Sequence, residues 1–150
     1  MSEQKTAGST RVIHSEWYGD IEVQASQIYH FPKGIVGFGE FHDYALVPIE
    51  GAPFFILHAV DHELSFILLQ AHDAVEGYGF EIDQAVIDLL GVQKPEDVAI
   101  FLIVNIIDDN FFVNLKAPLL LVPGTNKGCQ LIIDNPAYPL RHPLKRKEDG

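Results

Sequence analysis

Glycine and proline limit the length of every regular element in this chain of 150 residues. Inside the chain they include Pro32, Gly34, Gly37, Gly39, Pro48, Gly51, Pro53, Gly77, Gly79, Gly91, Pro95, Pro118, Pro123, Gly124 and Gly128. The runs between them are rich in Val, Ile, Phe and Tyr, which suit a pleated, half-buried surface. Short apolar runs bounded by turn residues are the pattern of a β-sandwich or barrel. The expected fold is therefore all-β: a small, β-barrel-like single domain of about ten short strands with one short helix.

Candidate strands cover 11–14, 21–24, 28–31, 44–49, 54–59, 65–70, 80–82, 98–106, 111–115, 119–122 and 129–133. Hairpins are expected at 50–53, at Asp108-Asp109-Asn110 and at 124–128, where turn-forming residues separate apolar runs. Asp83 can cap a short helix ending at Leu90, with Val86, Leu89 and Leu90 on one face and Gly91 as its stop. The similar sequence at 94–97 reads as a turn. The run 98–106 lacks alternation, so both its faces should be buried. Polar residues 1–10 and charged residues 145–150 read as tails around one unit, 11–144.

Charge narrows the possible partners. Twenty-one Asp and Glu stand against ten Lys and Arg, a formal net charge of −11. Between Lys33 and Lys94 there is no Lys or Arg, while that stretch holds ten carboxylates. Such a surface repels nucleic acid and anionic membranes, and it suits either plain solubility or a cationic protein partner. The longest apolar run, 98–107, is about half of what a bilayer span requires. The polar N-terminus lacks the apolar core of a secretory signal. A cytoplasmic protein is expected.

No catalytic constellation emerges. The single cysteine, Cys129, excludes an internal disulfide and lies in an apolar stretch, so it reads as a small buried hydrophobe. His58 and His62 sit beside Asp61 and Glu63, but on a strand running into a turn they cannot share a helical face, and the zincin order is absent. The glycine-rich segment 34–39 lacks phosphate-loop spacing. It instead allows positive φ in successive turns, with Phe38 and Phe41 tucked back as plugs. Asp108-Asp109-Asn110 lacks the later Gly and Glu of a calcium loop. No enzyme, metal or cofactor is expected, and the protein should work through its surface.

Several segments, taken in order, resemble the flagellar assembly factor FliW family over about residues 12–144. They are Tyr18-Gly19-Asp20-Ile21-Glu22-Val23, the stretch 28–38 (IYHFPKGIVGF), Pro53-Phe54-Phe55-Ile56-Leu57 and Leu64-Ser65-Phe66-Ile67. The most specific is Val113-Asn114-Leu115-Lys116-Ala117-Pro118-Leu119, followed by Gly128-Cys129-Gln130-Leu131-Ile132 and the stretch 138–144 (YPLRHPL). Gln70-Ala71-His72-Asp73 departs from the family pattern, which tends to carry Asp-Pro there, and Cys129 stands where another residue is often found. The resemblance implies a non-enzymatic, β-barrel-like cytoplasmic protein with two protein partners: flagellin, held before export, and CsrA, an RNA-binding repressor of flagellin translation. Release of flagellin would free the factor to antagonise CsrA. From the charge, no direct contact with nucleic acid or membrane is expected, and the protein is expected to be a monomer when free.

For the partner surface, the expected apolar contacts are Phe31, Phe38, Phe41, Phe111 and Phe112, rimmed by Glu40, Asp43, Glu50, Asp61 and Glu63. Each phenylalanine has a competing role in core packing. Asn114 and Pro118 read as structural, the first satisfying backbone groups at a strand end and the second setting a bend. A small-ligand-binding β-barrel protein is the alternative function, and it requires an interior cavity of several hundred Å³.

Overall fold

The structure, a computed structural model, describes residues 10–144. Of the tails expected at 1–10 and 145–150, residues 1–9 and 145–150 lie outside the described residues, while Thr10 belongs to the first strand. The strands are β1 (Thr10–Ser15), β2 (Gly19–Gln24), β3 (Ile28–His30), β4 (Asp43–Pro48), β5 (Phe54–Ala59), β6 (Ser65–Gln70), β7 (Ala99–Ile107), β8 (Asn110–Val113), β9 (Leu119–Val122), β10 (Lys127–Gln130) and β11 (His142–Pro143). Helix α1 (Ala71–Ala74) is a single turn, and α2 (Gln84–Leu90) is the helix expected from the Asp83 cap.

Strands β3, β4, β5, β6, β7, β9 and β10 form a closed ring, because the first half of β7 pairs with β9 while β10 pairs with both β9 and β3. The second half of β7 leaves the ring to pair with β8, and β11 lies beyond β8. Closure removes free strand edges, which otherwise invite pairing with other chains. The β1–β2 hairpin is a separate sheet. It is seated on the outside of the ring by Ile13, Val23 and Ala45.

Side chains fill the ring. Tyr29, Phe31, Tyr44, Leu57, Leu68, Phe101, Leu119 and Leu121 form one buried cluster in its interior, where a ligand barrel would need a cavity. Helix α2 covers the outer face of β9 and β10 through Leu90, packed with Leu120, Val122 and Cys129.

Local chemistry explains most boundaries. The Asp83 carboxylate accepts from Val86 N–H at 3.1 Å, and Gly91 ends α2 with φ +72°. Asp108 and Asp109 adopt φ of +52° and +67° between paired Ile107 and Asn110, the two-residue geometry that matches strand twist. Asn114 Oδ1 accepts from Lys116 and Ala117 N–H at 3.0 and 3.1 Å, the strand-end role expected of it.

Three expectations change. Residues 80–82 form no strand: β9 and β10 already have their neighbours, so Phe80 and Ile82 pack over their outer face without joining the sheet. The run 129–133 is strand only as far as Gln130, although Leu131 and Ile133 still donate to Pro118 and Lys116 carbonyls. The far end of β7 is not buried, since Asn105 and Ile106 lie exposed where the strand departs from the ring.

Candidate functional site

One end of the barrel gathers most of the sequence-selected residues. The loop between β3 and β4, residues 31–42, passes through successive turns closed by Gly34 N–H to Phe31 O, Phe38 N–H to Ile35 O and Phe41 N–H to Phe38 O. Gly34 has φ +69°, and a Cβ there would stand 2.7 Å from the Gly39 Cα, so this loop demands glycine. The turns fold Phe38 against Phe66 at 5.6 Å between ring centroids and Phe41 against His62 at 4.2 Å. Both rings stay half-buried, as plugs with one open face.

The β5–β6 turn supplies Asp61, His62 and Glu63 to the same end, all exposed. Arg11 pairs with Asp61 at 3.1 Å, an exposed bridge of small energetic worth. Glu63 has a more definite task. Its carboxylate accepts from Glu16 N–H at 2.9 Å and Ser15 Oγ–H at 3.1 Å, so it clasps the tip of the β1–β2 hairpin to the barrel. The Glu16 N–H, and then the Ser15 hydroxyl, the Trp17 N–H and nearby His58, hold its carboxyl below the usual glutamate range, against a partial desolvation that raises it.

Beneath this clasp His58 is fully buried. Its Nδ1 lies 2.7 Å from Ala59 O, and because a carbonyl only accepts, Nδ1 carries the hydrogen. Nε2 then faces Glu63 Oε2 at 3.7 Å and has no hydrogen-bond partner among the described residues. Tyr18 covers the ring edge-on. His62 instead leans on Phe41, so the two histidines of the 58–63 segment occupy different environments.

The clasp presents Trp17, which is 81% exposed, with Tyr18 partly exposed beside it. Neither was selected from sequence. The available signal was a tryptophan confined to the three residues between a strand-ending Ser15 and Gly19, where no core is within reach. Glu40 and Asp43 complete the acidic rim: Asp43 holds His30 Nδ1 at 2.8 Å, and Glu40 lies close enough to Tyr44 to add to burial in pushing its phenol up to about 12.

The other selected residues lie elsewhere. Phe31 is a correction: it is fully buried at the centre of the ring, edge-on to Tyr44, so no partner can reach it. Glu50 occupies the β4–β5 turn at the opposite end of those strands. Phe111 and Phe112 are on β8, outside the ring, where Phe111 packs near Phe54.

Comparison with known proteins agrees with this architecture. The family model described as FliW protein matches residues 12–144. The chain is 32% identical over 136 residues to the flagellar assembly factor FliW of Caldicellulosiruptor saccharolyticus, covering 89% of this chain and 90% of that protein. Against the protein of the same name from Geobacillus kaustophilus it is 33% identical over 135 residues, covering 88% and 94%. A crystal structure of the flagellar assembly factor FliW superposes with a TM-score of 0.81 at 30% identity, over 91% of this chain and 99% of that one. With the family pattern running from β1 to Leu144 and the same fold beneath it, the chain belongs to the FliW family of flagellar assembly factors.

Proposed function

We propose that this protein is a cytoplasmic, non-enzymatic regulator that binds flagellin before export and, when flagellin leaves, binds CsrA and relieves its repression of flagellin mRNA. The unit spanning 11–144 would carry both activities as a monomer when free. What supports the reading is family membership together with one observation: an acidic end of the barrel with open aromatic faces. Trp17, Tyr18, Phe38 and Phe41 supply the apolar centre that specific docking needs, and Glu40, Asp43, Asp61 and Glu63 supply the rim. Phe111, Phe112 and Glu50 form separate patches, available to a second contact.

Charge gives the mechanism. An acidic body docked on an RNA-binding protein brings negative potential beside the RNA path, and like charges placed together oppose RNA binding without occupying its site. The protein itself has no use for nucleic acid as a partner. Size-exclusion chromatography with CsrA and, separately, with flagellin tests the reading. Complexes with each at micromolar concentration are expected, and failure to form either would overturn it. The ligand-barrel alternative loses its basis, because aromatic and aliphatic side chains occupy the ring interior.

A further inference from the structure

On the outside of the barrel, residues 80–83 and 131–134 line a cleft of about 410 Å³. Phe80, Ile82 and Leu131 turn into the apolar layer over β9 and β10, which fixes both walls. Among the described residues, the backbone N–H and C=O groups of Phe80, Glu81 and Ile82 make no hydrogen bond. On the other wall Leu131 and Ile133 donate to Pro118 and Lys116 carbonyls, while the backbone of Ile132 between them is unused among the same residues. Its side chain is 60% exposed.

Every charged residue lining this cleft is acidic: Glu81, Asp83 and Asp134. Lys116 reaches the rim with its ammonium 3.5 Å from Ile133 O, but does not line the cleft. Backbone with unspent donors and acceptors can pair with another strand. Acidic flanks select which strand is tolerated.

We propose that this cleft receives an extended segment of a partner protein, in which lysine or arginine alternates with an apolar residue. The segment adds its main chain to residues 80–82. Alternation places its apolar side chains on the inner face, with Phe80, Ile82 and Leu131, and its cations on the outer face, where Glu81, Asp83 and Asp134 surround the exposed Ile132. Gln130, next to the cleft wall, accepts from Val36 N–H of the β3–β4 loop at 2.8 Å, so the cleft borders the aromatic end; a peptide titration reads it without CsrA or flagellin and so tests it separately from their binding.

The test uses the full chain, ¹⁵N-labelled, titrated with two synthetic peptides, Ac-KVKIKVK-NH2 and Ac-EVEIEVE-NH2. The basic peptide should shift amide resonances of 80–83 and 131–134 saturably, and the acidic one should not. Glu81→Lys and Ile132→Lys, both at exposed positions and checked for an unchanged fold by their spectra, should each weaken binding by about tenfold. N-methylating alternate residues of the basic peptide should abolish binding. The proposal is overturned if neither peptide shifts the cleft, if both bind equally, or if shifts spread over the acidic surface and Ile132→Lys changes nothing.

Discussion

Replacing Gly128 with alanine puts a methyl group where two core side chains already stand. A Cβ at this position lies 2.7 Å from both Phe31 Cζ and Leu121 Cδ2, and 2.9 Å from Phe31 Cε1. Carbon atoms pack at about 3.5–4.0 Å, so each neighbour must withdraw by about 1 Å. Neither has room to do so: Phe31 and Leu121 are fully buried, and Tyr44 stands edge-on to the Phe31 ring at 5.4 Å. Overpacking of this kind costs about 2–3 kcal/mol. Alanine recovers about 0.5–1 kcal/mol of the entropic penalty of glycine in a strand. The net loss is about 2 kcal/mol, or about 4–8 °C in melting temperature for a chain of this size. Urea and thermal unfolding measure it. Phe31→Leu alone should cost about 1–2 kcal/mol through the lost ring atoms. The double variant should cost at least about 0.5 kcal/mol less than the sum, because the smaller side chain accommodates the methyl. If Gly128→Ala stays within about 0.5 kcal/mol of the parent, or the two changes add, Phe31 is not locked against Gly128 as described.

Three further outcomes follow from the site and the core. The Glu63 carboxyl is held below its unfolded value, so its clasp is in full force above about pH 4.3 and is lost as pH falls through the lower folded-state value. The protection of the Glu16 amide, measured against its intrinsic exchange rate at each pH, should therefore fall on acidification, and Glu63→Gln should remove that dependence; a fall in protection unchanged in the variant would contradict the clasp. Burial pushes the Cys129 thiol up to about 11, with Lys33 opposing and Asp83 adding to the shift. A thiol reagent at pH 8 should react only as fast as the protein opens, and immediate stoichiometric reaction would refute that burial. Trp17→Ala should leave stability within about 0.5 kcal/mol, because the side chain is exposed. It should still weaken binding to at least one of CsrA and flagellin, and unchanged affinity for both would remove Trp17 from the surface.

Local chemistry made part of this fold readable in the sequence. Strands β5, β6 and β9 fall where apolar β-formers lie between turn residues, and Asp83 and Gly91 bracket α2 as their capping roles require. What depends on distant neighbours was hidden. Phe31 sits beside turn glycines and looks like a loop-edge contact, yet Gly128 opens the space that draws it into the core. Residues 80–82 have strand composition, but pairing needs a free edge and the closed ring offers none at β9 and β10. The task of Glu63 is set by Ser15 and Glu16, separated from it by 48 and 47 residues. The acidic rim was readable as composition, whereas the presentation of Trp17 required the β1–β2 hairpin to be docked first.

We propose the aromatic, acidic end of the barrel as the place where this protein meets its partners. Hydrogen exchange of the full chain, alone and then saturated with CsrA or with flagellin, tests it most directly. At least one partner should protect residues 15–19, 36–42 and 60–64 together. Protection by both partners confined to β8, β11 or the β4–β5 turn, with those three segments unchanged, would contradict it.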